Sequence, residues 1–353
     1  MKQLLFSAIL ALFLFALPAI GQDSTATPPP PKGKFNGYMF GDYYYNVQQR
    51  DTTKKDLNGF QFRRIYFTYD YAISPRFDSR FRLEADQAAL SSNGKIGVFV
   101  KDAWLKWKNV FEGSDFLFGM SPTPAYDASE EAWGYRSLEK TIMDLRGIVP
   151  SRDLGVDLKG KLTSDGTANY WLKIGNNSGN TPEGDKFKRF YGQLLFKPSP
   201  GLQIIASADY DAEAKVTDTF DGATKDNNRV VLSGFAGYQE KGKCSFGVEG
   251  FYRTAQNSYR PSAGVGLESQ NTFGLTAFVW DQVSEDIRLV GRVDFYDPNS
   301  SVDKDGNFLF IGALDYLATS DVHIMPNIYV QSYQAENVQA DVVARMTFFY
   351  NFK

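Results

Sequence analysis

Apolar and polar residues alternate with a period of two along most of this chain. From Val338 to Phe352 the even positions are nearly all apolar, whereas the positions between them include Asp341 and Arg345. The segments 287–295 and 76–86 repeat this pattern. Successive side chains of a β-strand point to opposite faces, so each segment would have one apolar and one polar face. The pattern therefore predicts β-strands.

Counting such segments gives about sixteen predicted strands. Their approximate spans are 34–46, 58–72, 75–88, 96–108, 113–121, 152–163, 167–176, 186–198, 201–212, 228–241, 243–255, 267–281, 284–297, 308–318, 321–333 and 338–352. The gaps between them alternate short and long, and the long ones include 47–57, 122–151, 214–227 and 256–266. An even strand number with alternating gap lengths is typical of bacterial outer-membrane barrels, which have short periplasmic turns and longer extracellular loops.

Composition narrows the fold class. The chain contains 29 Phe and 20 Tyr, aromatic residues make up 15% of it, and its mean hydropathy is −0.34. After the N-terminal segment no stretch approaches eighteen apolar residues, which excludes helical membrane spans. Aromatic girdles at two membrane interfaces would account for the many rings. We therefore predict an all-β fold, a transmembrane antiparallel β-barrel of about sixteen strands; a soluble β-sandwich or β-helix is the alternative.

The N-terminal segment has the features of an export signal. A basic start is followed by the apolar run from Leu4 to Leu17 and by small residues before Gln22. This predicts a signal peptide over 1–21, an N-terminal membrane anchor being the alternative. Residues 22–33 are polar and rich in proline, which predicts a disordered leader. Residues 34–353 would then form one barrel domain in the bacterial outer membrane.

The longest internal gap, 122–151, is a candidate constriction loop. At about sixteen strands a barrel is too wide to be filled by its own side chains, so its interior would hold water. A loop folded inward would narrow it and would need aromatic residues for packing and charges near the path. The candidates in this gap are Tyr126, Asp127, Glu130, Glu131 and Trp133. A lid outside the barrel mouth is the alternative.

Basic residues at inward positions are candidates for lining a pore. By strand parity these are Arg64, Arg80, Arg82, Lys106, Lys159, Arg189, Arg288, Arg292 and Arg345. Rings of Arg or Lys favour anions in pores. Acids accompany them at inward positions, namely Asp70, Glu84, Asp86, Asp157, Asp294 and Asp341. A salt-bridged, solvated wall is therefore the alternative to an anion-selective one.

Little in the sequence indicates catalysis or cofactor binding. The chain has one His and one Cys, His323 and Cys244, and a formal net charge of −3. We interpret both as residues of the barrel wall and expect no catalytic site, cofactor or metal. The segment Asp303–Asn307 lacks the spacing and the final acid of a calcium loop and is interpreted as a polar turn. No basic face indicates a nucleic-acid partner.

Three short stretches resemble the phosphate-selective porin O and P family. They are FLFGMSP at 116–122, SLEK at 137–140 and PSRDLGV at 150–156. The resemblance implies a sixteen-stranded, usually trimeric, outer-membrane channel. Family members line the pore with an arginine ladder and a lysine cluster, whose counterparts would lie within the inward basic set. Phosphate specificity is not implied, because those positions do not align residue by residue.

The end of the chain also resembles a known signal. Phe348–Phe352 forms an amphipathic segment with an outward Phe, similar to the signal read by the barrel-assembly machinery, although Lys353 follows it. The expected function is passive diffusion of small hydrophilic solutes or ions, with anions such as phosphate among the candidates. The alternatives are a structural or adhesive barrel with a closed lumen and, less favoured, a barrel enzyme using His323. The expected partners are outer-membrane lipid, the assembly machinery and further copies of the chain in a trimer.

Overall fold

The structure, a computed structural model, describes residues 32–352. Within them, sixteen antiparallel strands form a closed barrel, and two short strands form a separate hairpin. The strands are β1 (Lys32–Gln48), β2 (Asn58–Ser74), β3 (Phe77–Leu90), β4 (Ile96–Phe111), β5 (Ser114–Pro122), β6 (Arg152–Lys161), β7 (Ala168–Gly175), β8 (Arg189–Ser199), β9 (Leu202–Asp211), β10 (Val216–Thr217), β11 (Thr224–Lys225), β12 (Arg229–Glu240), β13 (Cys244–Tyr259), β14 (Glu268–Gln282), β15 (Ile287–Asp297), β16 (Asn307–Leu317), β17 (Val322–Tyr333) and β18 (Asp341–Phe352).

Each barrel strand pairs with its neighbours along the chain. The strand β9 pairs directly with β12, because the β10–β11 hairpin lies within the connection between them. The first and last strands close the barrel with a register that runs from Gly37 opposite Phe352 to Gln48 opposite Val342. Closure gives every strand two partners and leaves no unpaired sheet edge.

The predicted barrel is confirmed, and each of the sixteen predicted segments overlaps an observed barrel strand. The β10–β11 hairpin was not predicted, because two-residue strands are too short to show alternation. The predicted signal peptide lies outside the described residues, as does the predicted leader except for its last two residues. Lys32 and Gly33 belong to β1, because they pair with Ala72 and Tyr71 of β2.

The connections confirm the alternation of short and long gaps. One end of the barrel carries the turns 75–76, 112–113, 162–167, 200–201, 241–243, 283–286 and 318–321. The other end carries the connections 49–57, 91–95, 123–151, 176–188, 212–228, 260–267, 298–306 and 334–340. The strand β1 begins and β18 ends at the short-turn end. We call this the lower end and the long-loop end the upper end.

The two faces of the wall differ in polarity, as the alternation predicts. In β16 the outward side chains of Phe308, Phe310 and Leu314 are exposed, whereas Leu309 and Asp315 are buried inside the barrel. Rings cluster near both ends of the outer surface. Phe77 and Trp107 stack near the lower end with ring centroids 5.7 Å apart, and Tyr43 and Phe60 pack near the upper end at 4.9 Å.

Two irregularities shift the parity of the wall. The pairing of β1 with β2 shifts between Phe40 and Gly41, and as a result both Arg63 and Arg64 point inward. A second shift lies in the pairing of β3 with β4, where both Lys101 and Asp102 point inward. A β-bulge places two residues of one strand opposite one of its partner, so the extra residue can share its neighbour's face.

The connection 123–151, named the inner loop below, folds into the barrel. It contains two short helices, α1 (Asp127–Trp133) and α2 (Ile142–Leu145). Most of the protein's apolar core lies between this loop and the inner face of the wall. Neither these helices nor any other helix within residues 32–352 is long and apolar enough to cross a membrane.

Candidate functional site

The local sequence of the inner loop gives it a short helix and a sharp turn. The helix α1 ends at Gly134, which has a positive φ of 68° and donates its backbone N–H to the carbonyl of Glu130. This left-handed C-terminal conformation favours glycine. Ser129, Ala132 and Trp133 form the buried side of the helix. Asp127, Glu130 and Glu131 are left to line cavities of the lumen.

Hydrogen bonds attach the first half of the inner loop to distant strands. The Ser129 hydroxyl donates to Glu249 Oε1 over 2.7 Å, and the Tyr135 hydroxyl donates to Asp315 Oδ2 over 2.7 Å. The Ser245 hydroxyl donates to the carbonyl of Ala132 over 2.7 Å. These bonds join the loop to β13 and β16 within a buried environment, where an unsatisfied polar group would be costly.

Apolar contacts attach the loop on both sides of its turn. The ring centroids of Trp133 and Phe278 lie 5.4 Å apart. Ile142 and Met143 of α2 are fully buried in a cluster that includes Val231 and Phe251. The loop therefore covers the inner surface of strands β12–β14. On the opposite side, Arg63 of β2 donates to the carbonyl of Leu138, and a cavity remains beside this contact between the loop and the β1–β3 wall.

Arg136 holds the turn of the inner loop together. Its guanidinium lies 2.6 Å from both Glu130 Oε2 and Asp144 Oδ2. Burial alone would lower the pKa of Arg136, but the two carboxylates outweigh it and raise that pKa well above its ordinary value. Burial likewise opposes ionisation of Asp144, yet the charge of Arg136 lowers the pKa of Asp144. Both groups are thus held in their charged forms.

Three cavities follow one another through the lumen. The upper chamber, of about 440 Å³, lies between the inner loop and the β1–β3 wall and is lined by Phe40, Arg63 and Arg136 among others. The middle chamber, of about 330 Å³, is lined by Phe40, Arg136 and Glu130 among others. Phe40 and Arg136 border both chambers, and we call this place the neck.

The lower chamber is the largest, with a volume of about 710 Å³. It shares Asp127 and Glu131 of α1 with the middle chamber and reaches the turn residues Gly113 and Gly166 at the lower end. The upper chamber reaches Gln87, near the upper end of β3. The three chambers therefore form a row from one end of the barrel to the other.

All nine predicted basic residues lie on the inward face, and most of them contact acids. Arg64 Nε lies 2.6 Å from Glu84 Oε1, and Arg80 Nε lies 2.6 Å from Asp70 Oδ1. The remaining acid-paired members are Arg82 with Asp102, Lys106 with Asp78, Arg189 with Asp209 and Arg292 with Asp294. This is the arrangement of a salt-bridged wall.

The other three stack on rings. The Lys159 ammonium lies 3.2 Å from the ring centroid of Trp171, and Arg288 and Arg345 lie 4.9 and 4.7 Å from those of Trp280 and Tyr329. A cation over an aromatic face is stabilised by the ring quadrupole.

The inner loop covers some of the nine predicted basic residues and leaves others in the lining of the chambers. Arg189 and Arg292 are covered by it, because Arg189 lies against the carbonyl of Ile148 and Arg292 donates to the carbonyl of Lys140. Sequence parity predicts which side chains point inward, but it cannot show which of them a loop covers. Arg64 lines the upper chamber, and Lys159 lines the lower one.

The five loop candidates divide in the same way. The side chains of Tyr126 and Trp133 are buried between the loop and the barrel wall, so they contribute to packing and do not line the three chambers. Asp127 and Glu131 line both the middle and the lower chambers, and Glu130 lines the middle chamber.

Among the residues that sequence reasoning missed in or beside the chambers are the basic residues Arg63, Arg136 and Lys101. Arg63 and Arg136 line the upper chamber, and Lys101 bonds to Glu84 next to it. A signal for two of them was present in the sequence. Adjacent charged residues such as Arg63-Arg64 and Lys101-Asp102 cannot alternate without one facing the apolar side, so each pair suggests a bulge.

His323 pairs with an acid on the inner face of the barrel. Its Nδ1 lies 2.9 Å from Asp315 Oδ2. Within residues 32–352, no hydroxyl or thiol is hydrogen-bonded to the other ring nitrogen. The geometry is therefore that of an interior wall residue.

Comparison with known proteins identifies solved structures of the same fold. No protein-family model and no curated protein matches the chain. The outer membrane channel DcaP of Acinetobacter baumannii matches with a TM-score of 0.67 and 11% identity, over 95% of this chain and 100% of that one. The anion-selective porin of Comamonas acidovorans matches with a TM-score of 0.65 and 9% identity, over 92% and 100%.

A third match is a protein solved as a trimer. The in-vitro folded trimer form of OmpT, an outer membrane protein of Vibrio cholerae, gives a TM-score of 0.59 and 13% identity, over 92% of this chain and 100% of that one. At such low identity these matches concern the fold. They show that this chain has the barrel architecture of solved outer-membrane porins.

Proposed function

We propose that this chain is an outer-membrane porin through which small hydrophilic solutes or ions diffuse passively. The observation that carries the proposal is the row of three chambers between the two ends of the barrel. The walls of these chambers are rich in charged and amide side chains, and the narrowest part of a water-filled lumen limits which solutes pass. The fold shared with solved outer-membrane porins supports the same function.

We also propose the bacterial outer membrane as the location. Exposed apolar side chains cover the outer surface of the barrel, including Phe118, Leu232 and Phe310. An apolar surface of this extent needs a hydrocarbon environment or a partner. The short turns would then face the periplasm and the long loops the exterior. The outward Phe348 and Phe352 of β18 support recognition by the barrel-assembly machinery.

A homotrimer is the assembly that we propose. The support is the trimer form of the Vibrio cholerae protein, which shares the fold. Mild cross-linking in detergent, followed by electrophoresis of unheated samples, measures the number of chains. A single-chain band under conditions that preserve a known trimeric porin would contradict it.

Phosphate specificity remains a narrower proposal that follows from the family resemblance. The arginines of the β2–β3 wall, Arg64, Arg80 and Arg82, contact carboxylates rather than forming an uncompensated ladder. We therefore expect weak selectivity between chloride and phosphate. The reversal potential under gradients of the two potassium salts measures it.

Conductance across a planar bilayer tests the porin function directly. We expect the refolded protein to insert and to conduct stepwise. Phe40→Ala removes a ring at the neck, so it should raise the single-channel conductance. Phe118→Ala, an exposed outward position, is the matched control and should not. Protein that inserts but never conducts would contradict the proposal and favour a closed-lumen barrel.

A further inference from the structure

A small cavity, distinct from the three chambers, lies between the inner loop and the barrel wall. Its volume is about 10 Å³. The polar residues that line it are Tyr126 and Ser129 of the loop, Gln193 of β8, Ser207 of β9, Ser233 of β12 and Glu249 of β13. A cavity of about this volume holds one water molecule where it offers two to four polar partners. Gln193 also lines the lower chamber, so the cavity adjoins the water-filled lumen.

A row of polar side chains forms the wall side of this cavity. Gln193 and Ser233 both lie directly opposite Ser207, one in the pairing of β8 with β9 and the other in the pairing of β9 with β12. The inward neighbours of Ser233 along its strand are apolar. Val231 belongs to one buried cluster under the loop, and Phe235 belongs to the other. A single polar level therefore separates the two apolar clusters on which the inner loop rests.

Two hydroxyls at the cavity have no protein partner. Those of Tyr126, on the loop, and Ser207, on the wall, are buried and form no hydrogen bond within residues 32–352. Only 4% of Tyr126 is exposed. A buried hydroxyl without a partner is costly, so each of these two needs a hydrogen-bonding group within the cavity. They do not bond to each other, which means that a bridging group could satisfy both.

The other side of the hydrogen-bond balance consists of acceptors. The Glu249 carboxyl group accepts a bond from Ser129 at Oε1 and can accept more than one. The Gln193 amide donates through Nε2 to the carbonyl of Pro124, which leaves its Oε1 as an acceptor. A water molecule gives two hydrogen bonds and receives two. It therefore matches two hydroxyl donors and two acceptors around a cavity of its own size.

We propose that this cavity binds one water molecule, which joins Tyr126 of the inner loop to Ser207 of β9. The loop is then attached to the wall by this water as well as by its direct bonds, such as that of Ser245 to the carbonyl of Ala132. Tyr126 and Ser207 are positioning residues of the loop. The inference concerns how the loop is attached, and it does not depend on the proposed porin function.

A double-mutant cycle tests the proposal. The rate of amide hydrogen exchange in residues 123–151, followed by mass spectrometry in detergent, measures how often the loop opens. Tyr126→Phe and Ser207→Ala should each raise this rate on the order of tenfold, the effect of losing one buried hydrogen bond. Independent losses would multiply to about a hundredfold in the double variant, whereas loss of one shared water leaves the double variant close to the single ones.

Ser245→Ala provides the matched control. Its hydroxyl also attaches the loop, but by a direct bond, and it does not line the cavity. The effects of Tyr126→Phe and Ser245→Ala should therefore multiply. Every variant is first shown to migrate as a folded barrel in unheated gels. A crystal structure of the wild-type protein gives the second measurement, and its density should show a water within hydrogen-bond distance of the hydroxyls of Tyr126 and Ser207.

Two results would overturn the proposal. The first is a cycle of Tyr126 with Ser207 that multiplies as the control does. The second is density in which these hydroxyls bond to protein groups with no water between them, and this result can be obtained even if a variant fails to fold. Neither measurement involves conduction, so the porin function would stand in both cases.

Discussion

Removing the indole of Trp133 should loosen the inner loop without unfolding the barrel. Only 1% of this residue is exposed, and its Nε1 donates to the carbonyl of Glu139 over 2.8 Å. Its ring packs against Phe278, and the guanidinium of Arg292 lies 5.3 Å from its centroid. Replacing a buried Trp by Ala costs about 3–5 kcal/mol. Because the strand pairing does not involve this side chain, the loss should fall on loop docking.

That loss converts into a population of undocked loop. Every ~1.4 kcal/mol is a factor of ten, so Trp133→Ala should raise the undocked fraction between about a hundredfold and a few thousandfold. The hydrogen bonds of Ser129 and Tyr135 remain in the variant, so the loop should fluctuate rather than leave permanently.

Single-channel recording at constant voltage is the assay for this prediction. The wild type should give steady steps, and Trp133→Ala should flicker between the wild-type level and higher ones. Trp107→Ala is the matched control, because that ring stacks on Phe77 at the outer surface. A steady wild-type trace from Trp133→Ala, in protein that inserts normally, would refute the assignment of this residue to loop docking.

Two further predictions concern charges. Arg63→Gln should shift the reversal potential toward cation preference, because it removes one cation of the upper chamber; an unchanged potential would show that Arg63 does not act on the path. Asp218→Asn should make the connection 212–228 sensitive to protease at pH 7, since Asp218 accepts bonds from Lys225, Arg260 and the backbone N–H of Leu267. These bonds, led by that of Lys225, lower the pKa of Asp218. The wild-type connection should therefore stay protected from protease until the pH falls below the ordinary pKa of an aspartate, and it should lose protection as the pH falls further, through the lowered pKa. Loss of protection at neutral pH in the wild type would contradict this.

The strands could be predicted because outward positions of the barrel accept little other than apolar side chains. In β16, Phe308, Phe310 and Leu314 alternate with inward positions, and the same constraint applies around the barrel. It is a local rule that each segment obeys separately. Inward positions follow no such rule, because an inward side chain can be accommodated by water, by a salt bridge or by packing against the inner loop.

The chambers were less predictable because they depend on distant contacts. Whether Trp133 would line the path or pack depends on Phe278, and the position of Ser129 depends on Glu249, which is 120 residues away. The place of Arg63 in the lining of the upper chamber depends on a bulge that turns this residue inward. None of these can be derived from the period of two.

The junction of β1 and β18 has a consequence for the order of folding. Thr347 and Asp42 are hydrogen-bonded across this junction although 305 positions separate them. Contacts between such distant residues form late, since a long stretch of chain must first lose its freedom. The carbonyl of Leu138 in the inner loop accepts bonds from Arg63 of β2 and from Arg345 of β18, the strands on either side of β1. The inner loop thus bridges the junction of strands that forms last. Docking of the loop inside the barrel and closure of the barrel should therefore occur in one concerted step.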